Sequence, residues 1–162
     1  MDFIDLKAQQ ARIRHRIEER IKSVLNHGKY IMGPEVLELE EKLSNFVDVK
    51  YCISCSSGTD ALLIPLMAKG IGPGDAVITT PFTYIATAEV ISLLGAEPVF
   101  VDIYDSTYNM DPSHIEDALK AAENKGLNTK AIIPVDLFGL PARYRIITEL
   151  AEKHNLFILE DA

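Results

Sequence analysis

The sequence predicts an α/β fold, a mostly parallel sheet with helices on both faces. From residue 49 onward, short β-type apolar runs alternate with longer runs of helical period. Gly, Pro or Asp marks nearly every change from one to the other. Such alternation builds parallel strands joined by right-handed helical crossovers. The length of 162 residues suits a single domain, and with 48% apolar residues it buries about two-thirds of its unfolded surface.

Residues 1–48 read as two amino-terminal helices. Ile13, Ile17, Ile21, Val24 and Leu25 recur at spacings of three and four, and Gly28 closes the run. The second helix opens at Gly33-Pro34, where the missing N–H of proline costs nothing, and Val36, Leu39, Leu43 and Phe46 form its stripe. Residues 49–162 then carry the α/β pattern. Tyr51–Cys55 is the first expected strand, followed by a helix over Thr59–Lys69 that stops at Gly70. Gly72-Pro73-Gly74-Asp75 is a turn into a strand at Ala76–Thr79. A helix over Thr83–Leu94 ends at Gly95, a left-handed cap. Glu97–Val101 is the third strand, and Asp111 caps a helix beginning at Pro112. Lys130–Val135, a helix over Arg143–His154 and a strand over Leu156–Glu160 complete the series.

Composition excludes several classes. Sixteen Lys and Arg against twenty-four Asp and Glu give a net charge of −8, which argues against nucleic acid as a partner. Residues 1–30 are net +3, read as a solvated helix face rather than a nucleic-acid arm. No apolar run reaches the ~18 residues of a membrane span, and Met1-Asp2-Phe3-Ile4-Asp5 lacks a secretion leader. The expectation is a cytoplasmic chain with no membrane partner. Cys52-x-x-Cys55 falls inside the expected first strand, which points its thiols to opposite faces; buried free thiols are expected there. His15, His27, His114 and His154 lack zinc-ligand spacing, so no metal site is expected.

In an open α/β sheet, ligands gather beyond the carboxyl ends of the strands. After the first expected strand comes Ser57-Gly58-Thr59. Gly58 opens a helix, so its amide and that of Thr59 point outward at a positive dipole end suited to phosphate, aided by the Ser57 and Thr59 hydroxyls. A simple N-cap is the plain alternative. After the next strand, Phe82 and Tyr84 bring aromatic rings to the crevice. Core packing is expected for Phe82, while for Tyr84 core packing and stacking on a planar ligand stand level. The last strand ends in Glu160-Asp161, where a carboxylate closing an apolar strand needs a partner. A cationic ring nitrogen is one such partner, and an Asp capping a following helix is the alternative. Asp136, after the fourth strand, is close enough in sequence to reach the crevice, but a loop carboxylate is the reading preferred. Together, a phosphate cradle, a stacking ring and an acid for a ring nitrogen are what pyridoxal phosphate requires.

Ser57-Gly58-Thr59-Asp60-Ala61-Leu62, Pro81-Phe82-Thr83-Tyr84-Ile85-Ala86-Thr87 and Glu160-Asp161-Ala162 resemble the DegT-type sugar aminotransferases. So do Phe3-Ile4-Asp5-Leu6, the stretch from His27 to Glu35, and Pro134-Val135-Asp136-Leu137-Phe138-Gly139. Several segments are similar to bacterial enzymes that aminate a keto sugar of UDP-linked uronic acids for surface polysaccharide. The resemblance implies a PLP fold type I, aspartate aminotransferase-like large domain, and a homodimer with shared active sites. It implies that Gly58 and Thr59 hold the cofactor phosphate, that Tyr84 lies over the pyridine ring and that Asp161 pairs with the ring nitrogen. Tyr30 and Met32 face the nucleotide sugar by resemblance only. Glutamate is the implied amino donor and a nucleotide-linked keto sugar the acceptor.

The family's Schiff-base lysine lies downstream of Glu-Asp-Ala, so it is expected beyond Ala162, and residues 49–162 are then a partial, truncated cofactor-binding domain. Lys69, Lys120, Lys125 and Lys153 read as solvated helix or loop lysines. The 162 residues alone are expected to be inactive. Two alternatives share the fold. One is a sugar deoxygenase dependent on pyridoxamine phosphate, with His at the lysine position. The other is a non-catalytic regulator.

Overall fold

Val77 and Ile78 are neighbours in one strand and belong to two different cores. That alternation is the period of a β-strand buried on both faces, and it organises the larger part of the chain. The computed structural model describes residues 4–162; Phe3 of the opening motif lies outside them. The chain divides into two units, one ending at Ser54 and the other spanning Cys55–Ala162.

The first unit holds α1 (Leu6–His27) and α2 (Pro34–Phe46). The Asp5 carboxylate accepts the Ala8 amide at 2.8 Å, and Gly28 closes α1 at φ 66°, as its place in the sequence predicts. Gly33 caps α2; a Cβ there would meet the Lys29 carbonyl oxygen at 2.3 Å, so only glycine fits. The Lys29 amide donates to His27 Nδ1, which leaves His27 Nε2 as the donor to Glu35 at 3.1 Å. That bond holds the Glu35 carboxyl below its ordinary range.

Tyr51–Cys55 is not a strand. A strand exists only where a neighbour pairs with it, and none does so among the described residues. The Ser54 amide and hydroxyl instead both donate to Glu40, at 2.8 and 2.7 Å. Tyr51 and Ile53 are accordingly exposed, and the two thiols are not buried: Cys52 is half-buried and Cys55 exposed.

The second unit begins with α3 (Gly58–Ala68) and continues through β1 (Asp75–Thr79), α4 (Ala86–Leu93) and β2 (Glu97–Phe100). A 3-10 turn at Pro112–His114, capped by Asp111, leads into α5 (Ile115–Asn124). Then come β3 (Asn128–Ile132), α6 (Tyr144–His154) and β4 (Phe157–Ile158). The sheet order is β2-β1-β3-β4 and every pairing is parallel. On one face, Leu62 and Leu66 of α3 and Val90 and Ile91 of α4 pack on Val77, Ala131 and Ile133. On the other, Ile115 and Ala118 of α5 and Ile147 and Ala151 of α6 pack on Ile78 and Ile132. Helices on both faces of a parallel sheet are what the alternation predicts.

Most boundaries lie within a residue of expectation, and those of three elements differ by more. Helix α4 starts at Ala86 rather than Thr83, because Thr83 and Tyr84 form a bend whose first bonds are tight i to i+3 turns from Thr87 to Tyr84 and Ala88 to Ile85. Strand β3 starts two residues early and its ladder stops at Ile132. Ile133 stays buried and bonds to the Ile78 carbonyl at 2.7 Å. Strand β4 is only two residues long, but its direction is carried on by a bridge between Val135 and Asp161.

Candidate functional site

The strand order places a reversal between β1 and β3. The chain leaves β1 toward β2 on one side, and leaves β3 toward β4 on the other. At such a point the loops diverge and a crevice opens past the carboxyl ends. A cavity of about 210 Å³ lies in this unit, lined by Gly58, Thr59, Leu62, Tyr84, Ala86, Thr87 and Asp161. Four of these seven, Gly58, Thr59, Tyr84 and Asp161, are the residues the sequence puts forward, drawn together from positions up to 103 apart.

Gly58 and Thr59 reach it as the first two residues of α3. Ser57 is the N-cap, its hydroxyl accepting the Asp60 amide at 3.1 Å and facing the Asp60 carboxylate at the same distance. That hydroxyl therefore serves the helix rather than a ligand. The amides of Gly58 and Thr59 have no acceptor among the described residues, as expected of a first helical turn. A Cβ on Gly58 would meet nothing within 4 Å, so the start of α3 is uncrowded at that position. Two free N–H groups at the positive end of an eleven-residue helix are donors suited to an anion.

Tyr84 is 76% exposed and lines the cavity from the segment that follows β1. Phe82 does not join the core: it is about half exposed and stacks on Tyr108, with ring centroids 5.3 Å apart. The bend after Pro81 turns its ring away from the sheet, which periodicity alone does not reveal.

Asp161 is fixed by backbone and side chain. Its amide donates to the Pro134 carbonyl at 3.0 Å, and its own carbonyl accepts the Asp136 amide at 2.9 Å. The Thr87 hydroxyl lies 2.6 Å from Asp161 Oδ2. Neither Thr87 nor this contact is visible in the sequence, because the pair is 74 positions apart.

Around the site, Asp136 is a loop clasp, as its sequence position predicts. Its Oδ1 accepts the Ala142 amide and the Tyr144 hydroxyl, each at 2.8 Å. Burial and the Asp136 carboxylate push the Tyr144 phenol upward. Desolvation, with Asp136 second, also raises the Glu160 carboxyl. Asn109, 3% exposed, holds the same loop by donating to the Leu140 carbonyl at 2.7 Å and accepting the Leu137 amide at 3.1 Å.

The lysines of this unit lie elsewhere. Lys120 pairs with Asp117, Lys125 with Glu97 and Lys153 with Glu116, these three lysines all exposed, while Lys69 sits over the Phe157 ring and Lys130 is exposed on β3. Tyr30 and Met32 belong to the first unit, and both are exposed. Among the described residues no group of three or more His, Cys, Asp or Glu gathers as metal ligands do. No described helix is long and apolar enough to cross a membrane.

Residues 11–162 match the DegT/DnrJ/EryC1/StrS aminotransferase family. The chain belongs to this family. It is 55% identical, over its full length, to the UDP-2-acetamido-2-deoxy-3-oxo-D-glucuronate aminotransferase of Pseudomonas aeruginosa, and covers 44% of that protein. A DegT DnrJ EryC1 StrS aminotransferase from Brucella abortus superposes with a TM-score of 0.96 at 55% identity, over 100% of this chain and 44% of that one. NtdA of Bacillus subtilis, solved with bound cofactor PMP, superposes with a TM-score of 0.83 at 36% identity, over 90% of this chain and 32% of that one. The chain thus spans less than half the length of these family members.

Proposed function

We propose that this chain is the phosphate- and ring-binding part of a pyridoxal-phosphate-dependent aminotransferase. The observation that carries the proposal is the convergence of two free amides, an aromatic ring and a fixed carboxylate on one cavity. The cavity is small beside the ~300–1,000 Å³ of ordinary ligand sites, which suits a single phosphorylated ring. Bound there, pyridoxal phosphate supplies a carbonyl that accepts and returns an amino group and a ring that withdraws electrons from the reacting carbon.

The chain's own residues would hold and orient it. The Gly58 and Thr59 amides bind the phosphate, a charge-assisted contact that needs no side chain. Tyr84 covers one ring face and excludes water from it. Asp161, anchored between Pro134 and Asp136, presents a carboxylate to the ring nitrogen and keeps a proton on it.

The substrate reading is transfer of an amino group from glutamate to a keto sugar nucleotide, for surface polysaccharide or amino-sugar biosynthesis. The relation to the P. aeruginosa enzyme supports a UDP-linked 3-keto uronic acid as acceptor. A cytoplasmic homodimer, with Tyr30 and Met32 toward the nucleotide sugar, belongs to the same proposal. So does the division into amino-terminal helices at 1–48 and a partial cofactor domain at 49–162.

The test has two parts. The reading frame past the Ala162 codon is sequenced, and the encoded protein is assayed with pyridoxal phosphate, glutamate and a UDP-linked 3-keto uronic acid. A downstream lysine with stoichiometric 2-oxoglutarate formation is the expected result. A histidine at that position moves the assignment to the deoxygenase, and cofactor binding without turnover moves it to the regulator.

A further inference from the structure

Thr87 sits in the first turn of α4, 1% exposed, with three oxygens around its hydroxyl. Asp161 Oδ2 is at 2.6 Å, Thr83 Oγ1 at 2.9 Å and the Tyr84 carbonyl at 3.1 Å. A hydroxyl has one proton to give. The shortest contact is to a carboxylate, which is the strongest acceptor of the three, so the Thr87 proton goes to Asp161. The Thr87 oxygen is then free to accept, and Thr83 is the group positioned to donate to it. The two threonines therefore form a directed chain, Thr83 to Thr87 to Asp161. Asp161 Oδ1 takes no bond from the described residues, whereas Oδ2 is occupied.

We infer that Thr87 is a positioning residue for Asp161: its hydroxyl, oriented by Thr83, locks the carboxylate about its side-chain torsion and leaves Oδ1 as the oxygen for the ring nitrogen of the cofactor. The inference rests on the cofactor reading of the cavity. Thr83 and Thr87 stand four residues apart, the spacing that brings side chains together along a helical turn, and Tyr84 between them lines the cavity. One short segment thus supplies both the ring wall and the support for the carboxylate.

The probe is pyridoxamine 5′-phosphate labelled with 15N at the ring nitrogen, added to the protein expressed from its own reading frame. In the parent protein the ring nitrogen resonance is that of a protonated pyridine. Thr87→Val keeps the shape and removes the hydroxyl. It is expected to raise the dissociation constant about tenfold and move the resonance toward the unprotonated value, with Thr87→Ser restoring both. Thr83→Val, which leaves Thr87 in place, is expected to shift the resonance in the same direction by less, and decides the matter should Thr87→Val not fold. An unchanged resonance in Thr87→Val, or in Thr83→Val if that is the variant that folds, while Asp161→Asn moves it, overturns the inference and leaves the cofactor site standing. If Asp161→Asn also leaves resonance and affinity unchanged, the cofactor reading itself falls.

Discussion

Asp136 and Asp161 are joined by a backbone bond of 2.9 Å, the Asp136 amide donating to the Asp161 carbonyl, with the Asp161 amide returning to Pro134 at 3.0 Å. This pair extends the β3–β4 ladder past the two-residue strand β4 and sets the height at which the Asp161 carboxylate stands. The Asp136 side chain turns the other way, to Ala142 and Tyr144. One carboxylate therefore holds a loop while its neighbour is left for the cavity.

Gly58→Pro separates the cradle from the fold. Gly58 is the first residue of α3, where proline is accepted, and its N–H has no partner to lose among the described residues. Ser57 before it is already extended at φ −159°, ψ 164°, as a residue preceding proline must be. The variant should keep its melting temperature and lose cofactor affinity about tenfold or more, the worth of one charge-assisted bond to phosphate. Fluorescence titration with pyridoxal phosphate alongside thermal denaturation checks both halves.

Asn109→Ala strips two bonds from a side chain that is 3% exposed, leaving the Leu137 amide and the Leu140 carbonyl without it. Orphaning two such groups is expected to cost about 2–4 kcal/mol, read as a lower urea midpoint. The loop at 137–140, which holds Phe138 at φ 56° and Gly139 at φ 79°, should become the first site of protease cleavage.

Gly95 and Gly74 give a paired test of backbone strain. Both have positive φ, 77° and 87°, but a Cβ on Gly95 would lie 3.0 Å from Pro73 Cγ whereas one on Gly74 meets nothing. Gly74→Ala is expected to cost about 1–2 kcal/mol for the left-handed backbone alone. Gly95→Ala should cost more, because Pro73 is a ring with little freedom to withdraw. Equal losses in chemical denaturation would show that the contact carries no energy.

Glu160→Gln tests the raised carboxyl beside Asp136. A carboxyl whose folded pKa lies above its ordinary 4.5 binds its proton more tightly when folded, so wild-type stability falls as pH rises from 4.5 through the folded value. Glutamine removes that loss. The variant should melt higher than wild type at pH 7, and the difference should vanish below about pH 4.5. Melting curves across that range decide it.

Helix ends were the most legible part of this chain. Gly28, Gly95 and Asp111 each end or cap an element by local chemistry, and local chemistry is what a sequence displays. The parallel sheet was legible in the alternation of short and long apolar runs. Tyr51–Cys55 misled because a β-type run becomes a strand only with a partner, and partnership is not local. Phe82 misled because a bend, not a periodic face, decides where its ring goes. At the site, Tyr84 and Asp161 stand past the carboxyl ends of β1 and β4, which is where a parallel sheet opens to ligands, whereas Gly58 is legible as the first residue of a capped helix. Thr87 could not be found that way, since its importance lies in a contact across 74 positions, with an ordinary helical threonine as its only local signature.

Asp161, held in place by a bridge to Val135, lines the same cavity as Gly58. During synthesis, the Gly58 amide emerges 103 residues and the Tyr84 ring 77 residues before the acid. No nascent chain that still lacks β4 can present all of them at once, however much helix it has formed. On the proposed reading of the site, cofactor uptake reports that β4 has docked. A ligand that binds only when β4 is in place also stabilises that arrangement by mass action, so cofactor would raise the apparent stability of the sheet around it.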